Sequence, residues 1–211
     1  MLKKWFIPFL RGGRGVKPLN ARPALNFDAT PDLPLGFGYK MQWYAVRTKD
    51  TEGVAAQLML NDIQPANWSS GVRGAYEGYY FVTPPIDGWT LIANASMPGI
   101  SANEQPHTYS RLQSLSTVYG AAYYFGTHRI VGYQAWAHAA NGSIVRAYGY
   151  LGESEETLVD DGEPTADELE LGLLDHPSDE QDVLRLAACW TIDPLLENVS
   201  AEPSIGIIGV A

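Results

Sequence analysis

The dipeptide Asn141-Gly142 constrains the fold of this chain more than any other feature of its sequence. Both residues tolerate the positive φ angles that a two-residue type I′ turn requires, and two β-prone runs, 130–139 and 143–151, flank them. The sequence therefore predicts a β-hairpin, which we expect at the centre of a sheet. In its second strand, alternation predicts that four residues share one face: Ile144, Arg146, Tyr148 and Tyr150.

The rest of the chain alternates predicted strands with predicted helices. Strands are predicted at 41–48, 79–83, 89–95 and 121–125, with an edge strand at 156–159, and helices at 51–60 and 105–120. Two capping boxes, Thr165 with Glu168 and Ser178 with Gln181, predict two further helices. Residues 62–78 are predicted as a loop that ends in a short helical segment, and the Gly- and Ile-rich last residues have no predicted partner. We predict an α+β fold, a mainly antiparallel sheet packed by three to four helices.

The composition changes along the chain and predicts its division. Nine of the 14 basic residues lie in the first 50 positions, among frequent prolines and glycines. We predict an extended, basic, Pro/Gly-rich N-terminal arm over residues 1–40, followed by a single α+β domain over residues 41–211. An apolar run at 5–10 is too short for the core of a signal peptide, and no segment approaches the length that spans a bilayer. The expectation is a soluble, cytoplasmic protein that does not enter a membrane.

The acidic residues are concentrated in one segment. Between Glu153 and Asp182 there are 13 acidic residues and no lysine or arginine, in a chain of net charge −10. Such a segment is either a solvated, solubilising face or a surface that steers a basic partner into contact. Nucleic-acid binding is disfavoured, because it requires a basic patch on the folded domain. Six acids are candidate contacts to a protein partner: Glu153, Glu155, Glu156, Asp160, Asp161 and Glu163.

No local motif predicts catalysis, a metal site or a cofactor. The four histidines are not paired at metal-ligand spacing, no G-x-S-x-G elbow occurs, and the carboxylates do not match an EF-hand loop. The glycine-rich residues 11–15 lack both a preceding strand and a phosphate-loop spacing. The single cysteine, Cys189, is predicted to be a small buried residue on an amphipathic helix, and one thiol without a partner fits a reducing compartment.

Four stretches together resemble a bacterial family for which no activity is known. They are WYAVRT at 43–48, FVTPPIDGW at 81–89, YFGTHR at 124–129 and RAYGYLGE at 146–153, and the resemblance runs from residue 41 to the W-x-x-D-P motif that ends at Pro194. An acidic chain of this size without catalytic motifs is similar in general character to immunity proteins, which neutralise bacterial toxins such as those delivered by type VI secretion systems.

Two functional hypotheses follow. The first is a non-catalytic immunity protein whose acidic segment binds a basic toxin, such as a nuclease, with tyrosines and tryptophans as anchors. The alternative is a small enzyme whose site is assembled from distant positions around His128 and Arg129, with Asp87 and Trp136. A structural or adaptor role is a third possibility for which the sequence indicates no partner.

Overall fold

A computed structural model describes residues 26–101 and 103–211 of the chain. Nine strands form one sheet in the order β2-β9-β3-β4-β1-β5-β6-β7-β8, and every neighbouring pair is antiparallel. The predicted α+β class with a mainly antiparallel sheet is confirmed. The elements are β1 Gln42–Val46, α1 Thr51–Gln57, β2 Asn61–Asn67, α2 Trp68–Tyr76, β3 Tyr80–Val82, β4 Thr90–Ala93, α3 Gln105–Tyr119, β5 Ala121–His128, β6 Tyr133–Ala140, β7 Ser143–Leu151, β8 Glu156–Asp161, α4 Ala166–Glu170, α5 Glu180–Trp190 and β9 Ile205–Val210.

Helices cover both faces of the sheet. We call the two sides the α3 face, covered by α1 and α3, and the α5 face, covered by α2, α4 and α5. Each face has its own apolar cluster, because alternate residues of a strand point to opposite sides. In β1, Trp43 and Ala45 belong to the cluster of the α5 face, whereas Tyr44 and Val46 belong to that of the α3 face. The central strands are consequently buried on both sides.

The β6–β7 hairpin lies near one edge of the sheet. Ala140 pairs with Ser143, so Asn141 and Gly142 form the connection, with φ angles of 49° and 82°. Strand β7 is second from the β8 edge, and the expected central position is therefore wrong. The strand order places the hairpin there because β9, β3 and β4 all join the sheet on the far side of β1.

A bulge in β7 changes which residues share a face. The pairing shifts by one residue between His138 and Ala139, and Val145 becomes the extra residue of the bulged strand. Ile144 therefore packs toward the α3 face, while Arg146 lies on the α5 face with Tyr148. The prediction that Ile144 and Arg146 point the same way is wrong for this reason.

Two strands lie where none was predicted. Residues 61–67 form the edge strand β2, although Pro65 and four polar residues make the segment resemble a loop. Proline is tolerated there because an edge strand leaves N–H positions unpaired. The Gly- and Ile-rich C-terminal residues form β9, which pairs with β2 on one side and β3 on the other.

The helices differ from the prediction in number and in two of their starts. The described residues contain five helices rather than three to four. Helix α2 begins at Trp68, where the Asn67 side chain accepts a hydrogen bond from the Ser70 backbone N–H. The Thr165–Glu168 capping box of α4 is confirmed, but the box of α5 is formed by Asp179 and Asp182, one residue later than predicted.

Residues 26–40, the part of the predicted N-terminal arm that the structure describes, follow an extended path along the domain. Asp32 accepts hydrogen bonds from the backbone N–H groups of Trp68 and Ser69 at 2.6 and 3.0 Å, and so caps α2. Phe37 is buried against Trp43, with ring centroids 5.8 Å apart. The rest of the predicted arm, residues 1–25, lies outside the described residues, and the division at residue 40 stays a prediction.

Candidate binding site

The six acids predicted to contact a partner lie at the β8 edge of the sheet. Glu153 and Glu155 lie in the turn between β7 and β8, three more acids lie on β8, and Glu163 follows it. All six residues are exposed. Among the residues that the structure describes, strand β8 pairs with β7 alone and is an edge strand of the sheet. Charged side chains on an edge strand discourage pairing with another sheet and leave the strand available for contacts through side chains.

Two of the six acids are already engaged within the chain. Asp160 accepts a hydrogen bond from Nη1 of Arg146 at 2.5 Å, on the α5 face. Asp161 accepts from the hydroxyl of Tyr109 at 2.7 Å and from Nε2 of Gln105 at 3.2 Å, both on α3. The two carboxylates thus act as links from β8 to opposite faces of the sheet. The four glutamates make no ion pair within the part of the chain that the structure describes.

A buried ion pair fixes the acidic edge to the sheet. The side chains of Arg146 and Glu168 are both fully buried, and Nε of Arg146 lies 2.9 Å from Oε1 of Glu168. The same Oε1 accepts from Nε1 of Trp136 at 2.8 Å, and Oε2 accepts from the backbone N–H and the hydroxyl of Thr165 at 2.8 and 2.9 Å. Glu168 therefore completes the capping box of α4 and also forms the ion pair with Arg146.

Arg146 connects three elements. Its Nη1 donates to the carbonyl oxygens of Asp161 and Gly162 at 3.2 and 3.0 Å as well as to Asp160, while Nε binds Glu168 on α4. Burial opposes the charge of the guanidinium, but the hydrogen bonds that it donates to Asp160 and Glu168, together with the charges of these carboxylates, outweigh burial and raise the pKa of Arg146. The sequence signal that could have found this role is the single arginine on the predicted face shared with Tyr148 and Tyr150, together with the Thr165–Glu168 box.

Four partly exposed rings lie side by side on the α5 face. Tyr123 is at their centre: it stacks on His138 with centroids 4.7 Å apart and planes 7° apart, and contacts Trp89 and Trp190 at 5.7 and 5.8 Å. Each of the four residues is only partly buried. We call these residues the Tyr123 surface. Burial lowers the pKa of His138, so its imidazole is neutral at pH 7 and forms an uncharged ring surface with Tyr123.

Acids of the α4 segment border the Tyr123 surface. Burial and then the charge of Asp167 raise the pKa of Tyr123. Cys189 is exposed on α5, so its predicted burial is wrong. Partial desolvation, followed by the charges of Asp167 and Glu170, raises the pKa of its thiol. The α4 carboxylates therefore act electrostatically on Tyr123 and on Cys189. The sequence pattern showed the acids and the rings separately, and only the fold brings them together.

No family model, no curated protein and no solved structure matches this chain. Over residues 26–101 and 103–211, no group of three or more His, Cys, Asp or Glu side chains could hold a metal ion. Among the described helices, none has the length and apolar character needed to cross a membrane.

The structure separates the residues considered for an enzymatic site. His128 lines a cavity of about 400 Å³ with Glu104 and Tyr133, on the α3 face. Trp136 is buried in the cluster of the α5 face, and Arg129 forms an ion pair of 3.2 Å with Glu180 at the start of α5.

Asp87 lies at the other end of the sheet. Asp87 precedes Thr90 of β4. Thr90 pairs with Val46 of β1, and Val46 pairs with Ala122 of β5, which lies six residues before His128 on that strand. Six residues of strand span roughly 20 Å. This separation is too large for a hydrogen bond between Asp87 and His128. The four residues therefore do not form one site.

Proposed function

We propose that this chain is a non-catalytic binding protein of the immunity type, which neutralises a bacterial toxin by binding a basic surface of it. The observation that carries the proposal is the β8 edge, where Glu153, Glu155, Glu156 and Glu163 are exposed and make no ion pair within the described residues. Carboxylates that have no cation of their own attract and orient a cationic partner.

The anchoring of the edge supports the same proposal. A binding surface is more effective when the scaffold already holds it in the bound arrangement, because less conformational entropy is lost on association. Asp160 and Asp161 tie β8 to both faces of the sheet, through Arg146 on one side and Tyr109 on the other. The partner we propose is a protein with a basic surface, such as a nuclease, and neither a nucleic acid nor a membrane. The proposal requires no cofactor.

The enzymatic alternative has weaker support. It requires His128, Arg129, Asp87 and Trp136 in one site, and these residues lie on different faces and at opposite ends of the sheet. His128 has a buried Nδ1 without a hydrogen-bond partner, and a catalytic base is normally oriented by a partner at its second nitrogen.

The test is protection of cells that express a toxin encoded next to this gene. The edge variant carries Glu153→Lys, Glu155→Lys, Glu156→Lys and Glu163→Lys. The control variant reverses four exposed glutamates outside the acidic segment and therefore changes the net charge equally: Glu52, Glu77, Glu197 and Glu202. We expect the wild type and the control to protect the cells and the edge variant to fail, with an association rate about tenfold or more lower.

Two results would contradict the proposal. Equal protection by the edge variant and the control would show that the position of the edge charges does not matter. Absence of protection by the wild type, against toxins encoded beside the gene, would remove the immunity function itself. Both variants should show the circular dichroism spectrum of the wild type, because all eight positions are exposed and substitutions there leave the core unchanged.

A further inference from the structure

The Tyr123 surface is a partly exposed aromatic patch at the margin of the apolar cluster of the α5 face. Its rings are partly exposed, whereas the neighbouring Phe125 and Trp136 on the same face are fully buried. Exposed tyrosine and tryptophan side chains are the most frequent energetic anchors of protein interfaces, because they bury a large area with little loss of rotamer entropy. The patch has an uncharged stacked pair, Tyr123 and His138, between the two tryptophans.

The electrostatic potential of the patch favours binding of a cation. The faces of aromatic rings carry negative electrostatic potential, and Asp167 and Glu170 add full negative charges beside them. One cation of the chain already uses this surface: the guanidinium carbon of Arg47 lies 5.8 Å from the ring centroid of Trp89. Two further cations are already paired: Arg185 is bound to the buried carboxylate of Asp182, and Arg146, the partner of His138 in the β6–β7 ladder, is bound to Glu168.

The geometry also favours arginine over lysine. A guanidinium is planar, stacks on an aromatic ring and can still donate two parallel hydrogen bonds to a carboxylate, whereas an ammonium does neither. The partly exposed rings around Tyr123 provide the aromatic surface, and Asp167, whose charge acts on Tyr123, provides a carboxylate. We propose that the Tyr123 surface binds an arginine side chain of the protein partner. This inference rests on the proposed binding function and adds a second contact on a different face from the four glutamates of the β8 edge.

The first experiment uses peptides rather than the partner. Binding of an acetylated and amidated Gly-Arg-Gly-Arg-Gly peptide is followed by the fluorescence of the tryptophans, since Trp89 and Trp190 flank Tyr123. The same peptide with lysine, and one with citrulline, are the comparison probes. We expect saturable binding of the arginine peptide, several-fold weaker binding of the lysine peptide and none of the citrulline peptide. Equal binding of the arginine and lysine peptides that disappears in about 0.5 M NaCl would overturn the inference, because it would indicate only non-specific attraction.

Variants locate the binding. Tyr123→Ala should lower the affinity for the arginine peptide about tenfold. Asp167→Asn should lower this affinity several-fold and make it depend less on salt concentration. Tyr76→Ala is the matched control, since Tyr76 is an exposed tyrosine outside the patch. His138→Ala tests the same surface by a second route if Tyr123→Ala proves unfolded. Unchanged peptide affinity in folded Tyr123→Ala and His138→Ala would overturn the inference.

The cell assay separates this inference from the proposed function. If Tyr123→Ala protects cells as well as the wild type while the edge variant fails, the proposed function stands and the arginine contact is overturned. If the wild type does not protect cells but binds the arginine peptide through Tyr123, the immunity function fails and the arginine site stands. Loss of protection in both Tyr123→Ala and the edge variant, with Tyr76→Ala protective, supports both.

Discussion

Arg146 is the residue on which the acidic part of the chain depends most. It is fully buried, and its hydrogen bonds reach β8, the connection after β8 and α4. A buried charge is tolerated only when it is paired, because removing an ion from water costs several kcal/mol. Glu168 supplies the compensating charge and receives hydrogen bonds from Trp136 and Thr165 in addition. One carboxylate thus serves the ion pair, the indole and the helix cap.

Glu168→Ala is expected to lower the free energy of unfolding by about 3–5 kcal/mol, because it leaves the buried guanidinium without its partner. Glu170→Ala, an exposed position on the same helix, is the control and should change it by less than about 0.5 kcal/mol. Urea denaturation followed by fluorescence measures both. The double variant Arg146→Met/Glu168→Leu should recover much of the loss, since it leaves no unpaired charge in the buried site and Asp160 is exposed to solvent. Similar stabilities for the two alanine variants would refute the role given to Glu168.

At the scale of elements, the connection from β8 to α4 is held by a close approach of two backbones. Gly162 has a φ of 78°, its carbonyl oxygen accepts from Arg146, and a Cβ at this position would overlap the carbonyl oxygen of Val145. Val145 is the extra residue of the β7 bulge. The bulge and Gly162 therefore act together. They let the connection pack against β7, and they place the carbonyl oxygen of Gly162 where it accepts a hydrogen bond from the guanidinium of Arg146.

Gly162→Ala is expected to destabilise the protein by at least about 3 kcal/mol, because positive-φ strain and the backbone overlap add. Gly88→Ala is a matched control, since Gly88 has a φ of 83° but no atom within 4 Å of an added Cβ. Gly88→Ala should lower the free energy of unfolding by only about 1–2 kcal/mol, which is the cost of the positive-φ strain alone. Thermal unfolding by circular dichroism compares the two. Equal losses of stability in Gly162→Ala and Gly88→Ala would show that the overlap with Val145 is relieved without an energetic cost.

At the scale of the whole molecule, the C-terminal strand joins the edge strand β2 to the rest of the sheet. Strand β9 lies between β2 and β3, and Asp32 and Ser204 form an isolated bridge just before it. Ile208 is fully buried in the cluster of the α5 face, whereas Ile205 at the start of the strand is 42% exposed. The strand is thus part of the core and not an appendage.

Ile208→Ala is expected to lower the free energy of unfolding by about 2–5 kcal/mol, from lost apolar burial and the cavity that remains. Ile205→Ala, the same substitution three residues away, should cost less than about 1 kcal/mol because its side chain is largely hydrated. Urea denaturation at equal protein concentration measures both. A small loss for Ile208→Ala, close to that of Ile205→Ala, would mean that β9 is not needed for a stable sheet.

Local signals predicted local structure well. The helix predicted at 105–120 is α3, which spans Gln105–Tyr119 with Pro106 in its first turn, and the predicted box of Thr165 and Glu168 lies at the start of α4. Such features depend on residues within one or two turns of each other, and a sequence shows these directly. The α5 box was misplaced by one residue because Ser178 and Asp179 both resemble caps, and Ser178 is buried instead.

The sequence by itself determined the fold class, the turn at Asn141-Gly142 and the acidic character of residues 153–182. Only the tertiary structure decided which of those acids are bound, because Arg146 and Tyr109 reach Asp160 and Asp161 from elements more than ten residues away. It also decided that β2 and β9 are strands, that the rings around Tyr123 come together, and that the charge of Asp167 acts on Tyr123. The physical reason is the same in each case: strand pairing, buried ion pairs and aromatic patches depend on contacts between residues distant in the sequence, and local periodicity carries no information about them.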